Sequence, residues 1–228
     1  MKCNTKRREP TEAELKDQER RNIKSNNTYL NYASRCLLLA VRAEGFGVDR
    51  LGRFNTQSQQ LGRAYIEQYT VRECITSVEE LLAGAEPEYR DAADSEYAVD
   101  SYYALRRDLN LFGWNPEVEL WETNPFTEAD CRPASTVRER QKRADFLWYA
   151  NSISFYIREM LCMAAMELHN TNGYGVDRLN RVMHPVRDRW LKLMHLYLAM
   201  DKAAVEAEMK AVLKEFNSIG LFAKEYEL

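Results

Sequence analysis

A nine-residue string occurs twice in this chain of 228 residues, and no other feature restricts the fold as strongly. The string runs from Gly45 to Arg53 as GFGVDRLGR and returns from Gly173 to Arg181 as GYGVDRLNR. Seven positions are identical, and an eighth exchanges one aromatic residue for another. Such a repeat indicates that the chain contains two copies of one structural unit.

Helical periodicity surrounds both copies, and the match between them extends past the string. Apolar residues recur every three or four positions on either side, as in helices with one buried face. Beyond the string, Tyr69 in the first copy corresponds to Tyr197 in the second. Gly and Pro number only 9 and 6, so long helices joined by short turns are expected. The predicted fold class is all-α: two pseudo-symmetric helical hairpins (an internal repeat) plus additional helices in one compact domain.

The chain divides into four predicted segments. They are a charged N-terminal helix or arm at 1–26, the first hairpin repeat at 27–84, a connecting helix and an acidic aromatic connector at 85–134, and the second hairpin repeat with a C-terminal helix at 135–228. The connecting helix is expected from about Pro87 to Asn110, and the last helix from about Asp201 to Asn217. Because proline lacks a backbone donor, Pro185 is predicted to kink or restart its helix.

Composition is that of an ordinary soluble globular protein. The formal net charge of −3 gives no overall bias toward nucleic acid or an anionic membrane. No apolar run approaches the roughly 20 residues of a membrane span, and the N-terminus lacks the apolar stretch of a signal peptide. The five cysteines form no CxxC pair, so neither a zinc knuckle nor a disulfide scaffold is indicated. Cys36 and Cys162 are expected to be buried, and a cytoplasmic location is predicted.

The repeated string has the residue types of a corner between two helices. Glycine ends helices because it adopts the left-handed conformation at little steric cost. Two glycines around one aromatic residue let the chain reverse while the ring points inward, and an aspartate can then cap the next helix. The predicted corner residues are Gly45, Phe46, Gly47 and Asp49 in the first copy and Gly173, Tyr174, Gly175 and Asp177 in the second.

Two arginine pairs, Arg50 with Arg53 and Arg178 with Arg181, lie beside these corners. One interpretation is that they form salt bridges with Glu44 or with acidic groups of the other copy. The other is a paired basic site for an anionic partner. Arginines at a helix start oppose the helix dipole, which favours a specific external or inter-copy role. Both interpretations stay open at this point.

The connector carries three large aromatic residues, Trp114, Trp121 and Phe126, among several glutamates. They are either core plugs that fix the connector across the hairpins or anchors for a protein partner, since tryptophan is enriched at binding hot spots. An acidic aromatic arm could also imitate nucleic-acid charge and occupy a basic groove on another protein.

No catalytic or metal-binding pattern is present. The chain lacks Gly-x-Ser-x-Gly, a P-loop and His-Glu-x-x-His, and its three histidines, His169, His184 and His195, make no recognisable metal set. The prediction is a protein that is not an enzyme and has no cofactor. Basic clusters near residues 6–24 and 138–143 are interleaved with acids, as on solvated helix faces, although binding of nucleic acid by them is kept as an alternative.

The corner resembles one found in small helical proteins encoded by phages and prophages of Gram-positive bacteria. Those proteins carry Phe-Gly-Phe-Gly, two variable residues, Arg-Leu and a trailing aromatic residue. This chain has Glu44 and Asn172 where the first Phe stands, and Val182 replaces the aromatic residue in the second copy. The resemblance covers the two hairpins and implies an origin, with no activity attached to it.

These observations together favour a non-enzymatic accessory protein of a phage or mobile element that acts by binding a bacterial host or phage protein. Inhibition of a bacterial defence system, such as a CRISPR effector, is one specific form of that role. The alternative is a nucleic-acid-binding accessory factor in phage DNA transactions. No membrane partner is expected, and a homo-oligomer is left open.

Overall fold

The computed structural model describes residues 12–64, 104–122 and 124–220, and all regular structure in these ranges is helical. The helices in chain order are α1 (Glu12–Ala43), α2 (48–64), α3 (104–111), α4 (Pro116–Glu119), α5 (Val137–Asn172), α6 (Val176–Leu198) and α7 (Lys202–Ser218). A 3₁₀ turn lies at Glu128–Asp130. The predicted all-α class is confirmed for this part of the chain.

The long helices pack around one hydrophobic cluster. Helix α1 lies against α5, α6 and α7, and α6 also contacts α5 and α7. Along α6, Leu179, Val182, Val186 and Leu193 are buried at helical spacing, so its apolar stripe faces the centre of this arrangement. The predicted burial of Cys36 and Cys162 is confirmed.

Helix ends follow local capping chemistry. At the start of α5, the Glu139 backbone N–H donates to the Thr136 hydroxyl, and the Thr136 N–H donates to the Glu139 carboxylate, which is a capping box. Asp201 caps α7, so the predicted last helix is confirmed to within one residue. Along α7, Val205, Val212 and Phe216 are buried, whereas Leu213 is exposed.

Two helices continue across positions where the sequence predicted a boundary. Helix α1 runs unbroken from Glu12 across the expected boundary at residues 26–27, since no Gly or Pro lies between Glu12 and Ala43. Helix α6 continues through Pro185 without restarting, because the buried residues on either side of this exposed proline hold the helix to the core. The predicted helix from Pro87 to Asn110 and the continuation of the first hairpin through Tyr69 lie mostly outside the described residues.

Candidate functional site

The two Gly-aromatic-Gly corners touch each other. Gly45 and Gly173 follow the ends of α1 and α5 with φ of 90° and 65°, the left-handed region that favours glycine. The rings of Phe46 and Tyr174 are buried, and their centroids lie 6.3 Å apart in an edge-to-face arrangement. Each ring therefore contacts its counterpart at the other corner, at the point where the helices turn back.

The predicted capping role of Asp49 and Asp177 is wrong, because each helix starts earlier than expected. The N-cap of α6 is Gly175, whose carbonyl accepts from the Leu179 N–H at 3.0 Å, and Asp177 lies inside the first turn. In α2, which begins at residue 48, Asp49 is likewise inside the first turn. Both carboxylates still face the positive end of the helix dipole.

Glu44 engages both arginines of the second corner. Arg178 Nε lies 2.9 Å from one carboxylate oxygen and Arg181 Nε lies 3.2 Å from the other. Hydrogen bonds from Arg178 and then from Arg181 hold the pKa of the Glu44 carboxyl below its usual value. This pairing joins α6 to the end of α1 and agrees with the internal interpretation of the arginines.

The first corner also supplies an arginine, Arg50, that contacts the second corner. Arg50 Nη2 donates to Asn172 Oδ1 at 2.5 Å, and its guanidinium lies 3.9 Å from the Phe46 ring. Arg178 has the same 3.9 Å relation to the Tyr174 ring. Arg53 is exposed, and no described residue forms an ion pair with it. Three of the four predicted site arginines are therefore engaged by the opposite corner.

The aromatic residues of the connector are core plugs in the described structure. Trp114 is fully buried and its indole N–H donates to Asn180 Oδ1 at 2.8 Å. Trp121 is buried and donates to the Ser154 carbonyl at 3.2 Å. Phe126 is buried as well. Their predicted use as partner anchors needs correction, because none of these side chains is accessible to another protein.

The three histidines serve separate local contacts. His184 Nε2 lies 3.0 Å from Glu119 Oε2, and His169 stacks on Phe112 with ring centroids 3.8 Å apart. His195 Nδ1 lies 3.7 Å from Asp130 Oδ1. Within the described ranges, no three His, Cys, Asp or Glu side chains are grouped so that they could hold a metal ion.

An exposed aromatic face on α5 was missed by the sequence reasoning. Trp148 is 72% exposed and Tyr156 is 52% exposed, and both line a groove of about 740 Å³. The groove is also lined by Leu147 and Phe155, and by Arg140 near the N-terminal end of α5. The available signal was that α5 has large apolar residues on two faces, of which the core covers only one.

Comparison of the chain with protein families, with curated proteins and with solved structures found no match. None of the helices in the described part of the chain has the length and apolarity that crossing a membrane requires. With Trp148 and Tyr156 exposed, this face of α5 departs from the surface of an ordinary solvated helix.

Proposed function

We propose that this chain is a non-enzymatic binding protein and that the groove around Trp148 is its contact surface for another protein. The exposure of Trp148 carries this proposal. A largely exposed indole keeps apolar surface in water, and burial of such surface contributes about 25 cal/mol per Å². Tryptophan is also enriched among the few residues that dominate protein–protein binding energy.

The charges around the groove indicate what the partner presents. Two basic residues line the groove: Arg140 is exposed, whereas Arg143 is paired with Glu128. A partner that places an apolar side chain over Trp148 and a carboxylate near Arg140 would be complementary.

The corner resemblance supports a phage or mobile-element origin for this binding role. In that setting the partner is a bacterial host or phage protein, and a defence protein such as a CRISPR effector is the specific candidate. Binding alone is sufficient for inhibition, so this role requires neither a catalytic set nor a cofactor.

The contacts at the corners also support the internal repeat. Arg50 of the first copy contacts Asn172 of the second, and Arg178 contacts Glu44, which is the residue equivalent to Asn172. Such an exchange is expected when two copies of one unit face each other across a two-fold axis. On this proposal, two pseudo-symmetric hairpins form the scaffold, and α5 is the first helix of the second hairpin.

The test compares Trp148→Ala with Leu111→Ala, which truncates another exposed apolar residue, 81% exposed on α3. Each tagged variant is used to capture proteins from the bacterial host, and any captured protein is purified and its Kd measured by titration. We expect Trp148→Ala to weaken binding by about 30-fold or more, as for a hot-spot residue worth 2 kcal/mol, and Leu111→Ala to leave it unchanged. Equal binding by the parent chain and Trp148→Ala contradicts the assignment of this surface.

A second candidate function is binding of single-stranded nucleic acid. The observation in its favour is an exposed tryptophan beside a basic helix start, since bases stack on aromatic side chains while cations contact the backbone. The corner arginines contribute less to this candidate than the sequence suggested, because Arg50 and Arg178 are already engaged. The candidate predicts oligonucleotide affinity that falls steeply with salt and weakens in both Trp148→Ala and Arg140→Gln.

A further inference from the structure

The groove on α5 follows two neighbouring rows of side chains on the helix surface. One row repeats every four residues and consists of Arg140, Ala144, Trp148, Ser152 and Tyr156. The second row has the same spacing, at positions 143, 147, 151 and 155. Rows with this spacing form ridges on an α-helix, and the channel between two ridges accepts a ridge of another helix. The groove therefore has the form of a surface that packs against a second helix.

The first row is arranged symmetrically about Trp148. Two small residues, Ala144 and Ser152, lie four positions before and after it, and two long side chains, Arg140 and Tyr156, lie eight positions before and after it. A two-fold axis through Trp148 would place a second copy of α5 antiparallel to the first. Each residue of the row then faces the residue at the same distance on the other side of Trp148 in the second copy. Arg140 faces Tyr156, and Ala144 faces Ser152.

The chemistry of the row suits this pairing. A guanidinium over a tyrosine ring is favourable, and the two-fold axis makes the contact between Arg140 and Tyr156 twice. The small side chains beside Trp148 leave room for the two indoles to meet at the axis. The two copies of Arg140 are about 24 Å apart at 1.5 Å per residue, so their repulsion is largely screened by salt. Arg143 is already paired with Glu128.

We propose that a second copy of this chain occupies the groove, as an antiparallel two-fold dimer in which α5 packs against α5 through Trp148. This inference rests on the proposed function for the use of the groove as a contact surface, and it names the occupant that covers Trp148 while a host protein is absent. The contact is about 25 Å long and about 10 Å wide, which is small for a specific interface. The dimer is therefore weak and reversible, and a tighter partner displaces it.

The first test is sedimentation equilibrium of the purified chain alone, at concentrations from about 1 to 300 μM. We expect the average mass to rise from that of one chain toward that of two. Trp148→Ala should weaken the dimer by about 30-fold or more, as for a hot-spot residue. Arg140→Gln should weaken it by about 5- to 30-fold, because two cation–π contacts are lost together. Leu111→Ala and Arg138→Gln change exposed residues outside the groove and should leave the dimer unchanged.

The second test examines the register by disulfide formation with oxidised glutathione. The background carries Cys3→Ser and Cys74→Ser, and the native cysteines of the described ranges are buried. Ala144→Cys mixed with Ser152→Cys should give a covalent dimer, because these positions face each other across the axis. Either variant alone should give at least about fivefold less, since two copies of position 144 are about 12 Å apart, beyond the roughly 7 Å between Cα atoms that a disulfide allows.

The outcomes separate this inference from the proposed function. A parent chain that stays monomeric up to about 300 μM overturns the dimer, while host-protein binding that depends on Trp148 still supports the proposed function. A dimer that is equally stable in Trp148→Ala, or a cysteine variant that crosslinks alone as readily as in the mixture, also overturns it, because the contact then has another location or register. If the dimer behaves as expected but Trp148→Ala captures the same host protein with equal Kd, the dimer is supported and the host-protein assignment fails.

Discussion

The hydroxyl of Tyr174 leads to a prediction in which removal of a polar group stabilises the protein. The Tyr174 side chain is fully buried, and its oxygen has no hydrogen-bond partner. The equivalent residue at the other corner is Phe46, which is also buried, so a plain phenyl ring already fits this kind of corner. The perturbation is therefore Tyr174→Phe, which deletes one oxygen atom and keeps the ring.

The expected size of the effect follows from the unmade hydrogen bond. A buried polar group without a partner costs about 1–3 kcal/mol. The favourable contacts of the ring survive the change, because Arg178 still lies over its face and Phe46 still meets it edge to face. We expect the free energy of unfolding to rise by about 1–2 kcal/mol, and Tm to rise by about 2–4 °C for each kcal/mol in a chain of this size.

The assay is urea unfolding followed by circular dichroism, with Tm from calorimetry as a second measurement. Phe46→Tyr is the reciprocal variant, because it adds an unpartnered hydroxyl at the other corner. It is expected to lower the free energy of unfolding by about 1–3 kcal/mol. If Tyr174→Phe were destabilising by 1 kcal/mol or more, the hydroxyl would have a partner and the reasoning would be refuted.

Three further predictions concern the same corner region and the connector. Gly45→Ala should destabilise by about 1 kcal/mol or more in urea unfolding because its φ is 90°, whereas Gly47→Ala, with a negative φ and open space around it, should be tolerated. Glu44→Gln should lower the free energy of unfolding by about 0.5–1 kcal/mol near pH 7. The effect is small because Arg178 and Arg181, the partners of Glu44, are about half exposed. The lowered pKa of Glu44 means that this difference is present above about pH 4.3 and disappears as pH falls through the folded pKa. Trp114→Ala should lower the free energy of unfolding by about 3–5 kcal/mol, because the Trp114 side chain is fully buried. Leu111→Ala should change it by no more than about 0.5 kcal/mol in the same assay, because Leu111 is exposed.

Much of the helical layout could be read from the sequence, because it depends on local signals. Glycine at 45 and 173 ends helices, and Asp201 begins one, through backbone preferences that act within a few residues. Pro185 shows the limit of this approach, since packing on both sides of it overrode the local preference for a break. The early start of α1 shows the same limit from the other direction: the charged residues before Asn27 lack an apolar stripe and therefore predict a separate helix or arm, whereas α1 begins at Glu12 and continues past them.

The candidate sites depend on long-range contacts, which periodicity does not report. Trp148 and Tyr156 have the same spacing as core residues, and only the packing of the other helices shows that α5 leaves this face uncovered. For Trp114 and Trp121 the sequence allowed a plug or an anchor, and the hydrogen bonds of their indoles are what identify plugs.

The corner contacts also affect the time course of synthesis. Glu44 and Arg181 are 137 positions apart, and chains grow at roughly 5–20 residues per second, so the arginine is made on the order of 7–27 s after the glutamate. During that interval Phe46 lacks the ring of Tyr174 that later packs against it. The first corner is therefore incomplete until the second has been synthesised. A chain cut between the two copies should leave this corner open, although each copy carries the full turn sequence.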